Sequence, residues 1–280
     1  MDAEISIAEK TLKELLAETW DYSLCITIDK GKEVWVVAGM LGRYLESVTD
    51  SVSVREGEDI IGTIGGKEIL ANVLKNPSSS LFYETRVEDI MEKNPVKVSD
   101  HTKYKDLISK WRQRGRAYAI LRNRWGHYSV ISAKKILEIG MRCKTSLSIL
   151  DLPKKPIITF KQDDSLGTII GNMFENKTRK ILLEGSNKYI SDRIIIETIS
   201  EELGNLKDMD NFLDMTVNTI KLEETRTVFD NLKINEVSAM MYDMEHPYVR
   251  YKDILVTPWD ICNQLLSDEI TQYTVQNKQD

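Results

Sequence analysis

The residues with the clearest chemical potential lie in the stretch Ile254 to Ile261, ILVTPWDI, where three apolar residues are followed by Thr257, Pro258, Trp259 and Asp260. A helix start leaves N–H groups without partners. A Thr at the N-cap accepts from one of them, a Pro at the first helical position gives up nothing, and an acid near the third position suits the helix dipole. The same geometry admits a second use, because a strand running into a helix start can receive an anion. There the Thr hydroxyl reaches a phosphate and the Asp carboxylate accepts from ribose hydroxyls. Local sequence leaves cap and ligand site both open, and what bears on the choice is recurrence.

Four segments share one order: short strand, amphipathic helix, apolar strand, second strand, then a helix opened by a small residue. The small residues are Gly65, Ser132, Ser191 and Thr257, spaced by 67, 59 and 66. The first segment starts near Glu4 with EISI as a strand and Ala8, Leu12, Leu15 and Leu16 on a helix face. YSLCITI (Tyr22 to Ile28) follows as a strand, then an insertion over 30–59 holding a candidate helix from Ala38, and finally IIGTIGGKEIL. NPSSS, Asn76 to Ser80, reads as a loop. In the second, VEDIMEKNPVKV precedes a helix marked by Tyr104, Leu107, Ile108 and Trp111, the strands AYAIL and HYSVIS, and the helix AKKILEIG. The third has the strand IITF, a helix bearing Leu166, Ile169, Ile170, Met173 and Phe174, the strand KILL, and YISDRIIIETI, ended by Gly204 and Asn205. The fourth has NTIKL, a helix over Thr225 to Leu232, a strand VSAMMY (Val237 to Tyr242), and the opening stretch. A unit of this size cannot close its own core, so repeats must pair.

VEDIMEKNPVKV, with Asp89, Met91 and Pro95, resembles the opening of a CBS (cystathionine beta-synthase) repeat, and VTPWDI resembles the strand-to-helix signature of that family. The resemblance covers nearly the whole chain. It implies an α/β (α+β) fold of four βαββα repeats, over 1–84, 85–144, 145–207 and 208–280, paired into two Bateman modules. It also implies a regulatory protein, not an enzyme, whose clefts hold AMP, ADP, ATP or S-adenosylmethionine and whose ligand alters a protein partner or the packing of the modules. Carried over by motif, Thr257 falls on the phosphate contact and Asp260 on the ribose contact. Trp259 borders the same cleft, and Lys155 and Ile158 stand on the segment entering the neighbouring repeat. At the Asp position the other repeats have Glu68, Lys135 and Ile194. Glu68, with Ser132 and Lys135, is the material for a second, altered site, whereas Ile194 has no acceptor.

Composition sets the remaining bounds. Between Lys103 and Lys135 ten basic residues face the single acid Asp106; this is +9 within a chain of −6, so the remainder carries −15. Arg112, Arg114, Arg116, Arg122 and Arg124 are either a solvated face, a nucleic-acid or other polyanion surface with interleaved aromatics, or phosphate contacts for a bound nucleotide. A nucleic-acid-binding regulator and an adaptor with vestigial sites are the alternative functions. His101, His127 and His246 lack partners at metal-ligand spacing, and no catalytic motif is present. Cys25, Cys143 and Cys262 are widely spaced, as reduced structural thiols are. With no apolar run of membrane length and no leader, the expectation is a cytoplasmic protein with no membrane partner; a homodimer is compatible with the sequence.

Overall fold

Gly65, Ser132 and Ser191 end a strand and Thr257 directly follows one, and all four are extended and serve as the N-cap of the helix that follows. This corner is the most regular feature of the computed structural model, which describes residues 5–17, 19, 23, 25–44, 51–204 and 211–272.

In chain order the elements begin with α1 (Leu12–Leu16), β1 (Thr27–Asp29), α2 (Val34–Arg43), β2 (Ser51–Glu56), β3 (Asp59–Gly65) and α3 (Gly66–Val73). Then come α4 (Ser79–Glu84), α5 (Val87–Ile90), β4 (Glu92–Lys93), α6 (Tyr104–Arg114), β5 (Tyr118–Arg122), β6 (Tyr128–Ser132), α7 (Ala133–Met141) and β7 (Cys143–Lys144). The chain continues with β8 (Thr159–Phe160), α8 (Leu166–Glu175), β9 (Lys180–Leu183), β10 (Lys188–Ser191), α9 (Asp192–Glu202) and β11 (Glu223–Glu224). It closes with β12 (Arg226–Thr227), α10 (Ile234–Tyr242), β13 (Val249–Tyr251), β14 (Ile254–Val256), α11 (Pro258–Gln264) and β15 (Thr271–Gln272).

One local topology recurs along this order. A strand, a crossover helix and a parallel strand are followed by a tight antiparallel return into the corner helix. β1 runs parallel to β2 across α2, and β8 parallel to β9 across α8. Across α6, the Val98 N–H donates to the Ile120 carbonyl and the Ile120 N–H to that of Val96. The returns β2–β3, β5–β6, β9–β10 and β13–β14 are antiparallel. Parallel neighbours require a crossover long enough for a helix, which explains the length of each round.

The elements depart from the expected ones at both ends of the chain. The described part of EISI, Ile5 to Ile7, is not a strand: Ser6 makes one bridge to Thr271 and Ile7–Glu9 is a 3-10 turn. The residues read as an insertion form α2 and β2, so the first round begins at β1. Val34, Val37, Ala38 and Leu41 are buried at helical spacing, a stripe that places the helix four residues earlier than Ala38. Glu4, Tyr22, Leu24, Leu45 to Val48 and Asn205, named in the expected elements, lie outside the described residues. NPSSS holds as a loop only to Ser78, since α4 starts at Ser79. NTIKL is not a strand either, since Val217–Thr219 is a 3-10 turn. In the fourth round VSAMMY is helix, not strand, and no helix covers Thr225 to Leu232. Ile234, Val237, Ser238 and Met241 make the buried stripe of α10, and the polar Ser238 hides its period; its hydroxyl donates to the Ile234 carbonyl at 2.6 Å.

The chain forms two compact units, each discontinuous in sequence. One is drawn from Met1–Leu24, Val96–Lys155 and Val228–Asp280, the other from Cys25–Pro95 and Pro156–Thr227. In the first, α7 packs on α10 and α11, over a core that includes Trp111, Tyr104, Leu107, Ile136 and Ile261. In the second, α9 packs on α2 and α3, and Phe82 meets Phe212 with ring centroids 6.1 Å apart. Among the described residues no helix is long and apolar enough to cross a membrane.

The closeness of α7 and α10 rests on Gly140, where an added Cβ would collide with Ser238 Oγ and lie 2.9 Å from its Cβ. Gly140→Ala is therefore expected to destabilise the protein by about 1–3 kcal/mol through overpacking, although alanine is the better helix former. Gly171, inside α8, has open space around it, with nothing within 4 Å of an added Cβ. Gly171→Ala should stabilise by about 0.5–1 kcal/mol. Urea unfolding of the two variants should move in opposite directions.

Candidate functional site

The corner at Thr257 is positioned by the β13–β14 return, in which Val249 pairs with Val256 and Tyr251 with Ile254. Thr257 is extended (φ −126°, ψ 160°), and Pro258 takes the first helical position, where its missing N–H costs nothing. Thr257 Oγ1 accepts from the Asp260 N–H at 3.4 Å. Asp260 Oδ2 in return accepts from the Thr257 N–H at 2.9 Å and from its hydroxyl at 2.7 Å. This reciprocal cap holds Asp260 in a buried position, 7% exposed. The cap and the ligand reading thus share the same atoms: the hydroxyl proton assigned to a phosphate is here donated to Asp260.

The other carboxylate oxygen, Oδ1, accepts from Lys155 Nζ at 2.6 Å. The two side chains differ sharply in burial, Asp260 at 8% and Lys155 at 60% exposed. Lys155 arrives there on the run Leu152 to Pro156, LPKKP. Leu152 is buried, and Pro153 and Pro156 push the residues before them into extended backbone, so the segment projects its lysines instead of folding them into a helix. Lys155 and Asp260, 105 positions apart, belong to the same compact unit.

α6 holds α11 from the other side. The Tyr104 hydroxyl donates to the Cys262 carbonyl at 2.8 Å, and Arg112 donates from Nε and Nη2 to Asn263 Oδ1 at 2.9 and 2.6 Å. Trp259, half-buried, packs toward Trp111, with centroids 6.5 Å apart and planes at 38°. Its ring thus serves the packing of α11 on α6. Asn263 is a member of this site that sequence reasoning missed; a polar residue one helical turn after Trp259 is the signal that could have found it.

The remaining candidates are distributed over both units. Ser132 caps α7 without a side-chain bond, and Lys135 donates to Glu138 at 2.9 Å and to the Thr19 carbonyl at 3.2 Å. Its ammonium is thus engaged within its own unit. Glu68 lies in the other unit, where it accepts from the Gly65 N–H at 2.9 Å, which completes a helix cap. Ile158 is also in that unit, its carbonyl accepting from the Leu182 N–H. In the third round the carboxylate is one that spacing missed: Asp192, at the first position of α9, is 3% exposed and accepts from Arg179 Nε at 2.7 Å.

The basic stretch is divided. Arg112 is bound to Asn263 and Arg116 is buried, while Trp111 and Tyr118 are core residues. Arg122 lies over the Tyr128 ring at 4.9 Å and Arg124 over Trp125 at 4.6 Å, within their own hairpin. The length of β5, roughly 15 Å at the usual rise per strand residue, separates these two from Arg112, Arg114 and Arg116.

No family model matches the chain, and no curated protein matches its sequence. Solved structures do match. A protein of Methanocaldococcus jannaschii, described as a proposed archaeal homologue of g-AMPK, superposes with a TM-score of 0.68 at 12% identity, over 87% of this chain and 96% of that one. A CBS-domain containing protein of Agrobacterium tumefaciens is similar over 47% of this chain and 93% of its own, at 17% identity and a TM-score of 0.39. A CBS domain protein of Streptococcus pneumoniae is similar over 44% and 85%, at 17% identity and a TM-score of 0.36. At these identities the likeness is one of fold.

Two outcomes follow from the geometry of α11. Thr257→Ala removes the cap and should lower stability by about 0.5–2 kcal/mol in urea unfolding. Burial pushes the Cys143 thiol up to about 11, and burial followed by the charge of Asp260 pushes Cys262 higher still. A thiol reagent at pH 8 should therefore modify half-buried Cys25 in the native protein, and Cys143 and Cys262 only on unfolding.

Proposed function

We propose that this chain, whose fold is that of CBS-domain proteins, is a regulatory ligand sensor. Its ligand is an adenine nucleotide or a related adenosyl compound, AMP, ADP, ATP or S-adenosylmethionine, and Asp260 is the residue that holds the ribose. Regulation would operate through a protein partner or through packing within the protein. A ligand shifts such an equilibrium only as far as it binds one state better than the other, commonly by ~1–3 kcal/mol.

The observation that carries this reading is the asymmetric satisfaction of one buried carboxylate. Oδ2 is committed to the helix cap, whereas Oδ1 is bonded to a lysine that is mostly in solvent. Two ribose hydroxyls can take over from that lysine without disturbing the cap. Asp260 is also the corner where a Thr and an Asp stand together at the cap and third positions, in place of Gly65 with Glu68, Ser132 with Lys135, or Ser191 with Ile194.

Isothermal titration with AMP, ADP, ATP and S-adenosylmethionine tests the proposal. At least one should bind, and Asp260→Ala should weaken it by about 1–3 kcal/mol, the cost of leaving buried ribose hydroxyls without their acceptor. Silence from all four ligands, or an affinity unchanged in Asp260→Ala, contradicts the assignment.

A further inference from the structure

Resting on that reading, we propose that Lys155 is a displaceable counter-ion that restricts the Asp260 site to phosphate-bearing nucleosides, the AMP, ADP and ATP class, over S-adenosylmethionine and uncharged adenosine.

Three observations lead there. First, a ribose approaching Asp260 must engage Oδ1, because Oδ2 already accepts from both the amide and the hydroxyl of Thr257. Second, Oδ1 accepts from the Lys155 ammonium at 2.6 Å and has one further acceptor position, so a ribose that places both hydroxyls on this oxygen must displace the lysine. Third, the lysine is the movable partner: it is 60% exposed on a flexible four-carbon stem, whereas Asp260 is fixed by its cap at 8%.

Displacement alone leaves the ammonium without its carboxylate. A ligand that brings a phosphate gives the displaced ammonium a new anionic acceptor. Adenosine has no such acceptor, so the exchange of one charged hydrogen bond for two neutral ones is unassisted. S-adenosylmethionine places a sulfonium cation next to its ribose, and its carboxylate is flanked by its own α-ammonium, so with a net charge of +1 it is a poorer acceptor for the displaced ammonium than a phosphate. The same side chain therefore closes the empty site and reads the charge of what enters it.

The test is titration of the full chain as wild type, Lys155→Met and Lys155→Arg with AMP, adenosine and S-adenosylmethionine, each variant checked for an unchanged thermal midpoint. Wild type should prefer AMP to adenosine by about tenfold or more, the equivalent of one charged hydrogen bond. Lys155→Met should narrow that ratio by weakening AMP and tightening adenosine, and Lys155→Arg should retain it. If AMP binds with the same ratio in wild type and Lys155→Met, or if wild type prefers S-adenosylmethionine, the charge-reading role is overturned while the ligand site stands. If no ligand binds either wild type or Lys155→Met, the site assignment fails and this inference fails with it.

Discussion

A buried carboxylate must be satisfied at both oxygens, and the corner around Asp260 is built to meet that requirement. An unpaired charge there would cost several kcal/mol, so each oxygen has a partner, one fixed in the helix cap and one on an exposed side chain. The Thr257 amide and hydroxyl satisfy one oxygen from the helix's own cap. Lys155 satisfies the other from a segment 105 residues away. One interaction thereby joins local backbone chemistry, the long-range arrangement of the unit and the accessibility of the proposed site.

The elements behind the corner serve the same end. α6 grips α11 through the Tyr104 hydroxyl on the Cys262 carbonyl and through the two-pronged contact of Arg112 with Asn263. Trp111, fully buried, receives Trp259. α7 supports α11 from another direction and is itself drawn close to α10 at Gly140. The N-terminal segment completes this unit: Ile7, Leu12, Leu15 and Leu16 are buried in its core, and the Leu15 carbonyl accepts from Arg142 beside α7. A helix of only seven residues, Pro258–Gln264, gains its definition from these neighbours more than from its own length.

Much of this was legible in the residues themselves. The four corners are where the small residues Gly65, Ser132, Ser191 and Thr257 place them, since extended backbone followed by a helix is what a cap residue encodes. α6 and the β5–β6 pair follow from clean periodicities. The first round was misframed because two stripes, Ala8 to Leu16 and Val34 to Leu41, both have helical spacing, and only tertiary pairing of β1 with β2 decides between them. VSAMMY is short and apolar enough to suit either period, and its helix is settled by burial of Ser238. Pairing of side chains distant in sequence was the least legible. Lys155 was placed near Asp260 by family resemblance, but that it bonds the carboxylate follows only from the three-dimensional arrangement. Likewise Lys135, at the position corresponding to Asp260, spends its charge on Glu138 and the Thr19 carbonyl, neither of which is marked by spacing.

Native mass spectrometry of freshly purified protein, before and after equilibration with AMP, ADP and ATP, shows whether Asp260 holds a nucleotide ribose. A bound mass equal to an adenine nucleotide is expected in the wild type and its loss in Asp260→Ala. A wild type that carries no adduct before or after equilibration, or an adduct retained unchanged in Asp260→Ala, would contradict the ribose assignment.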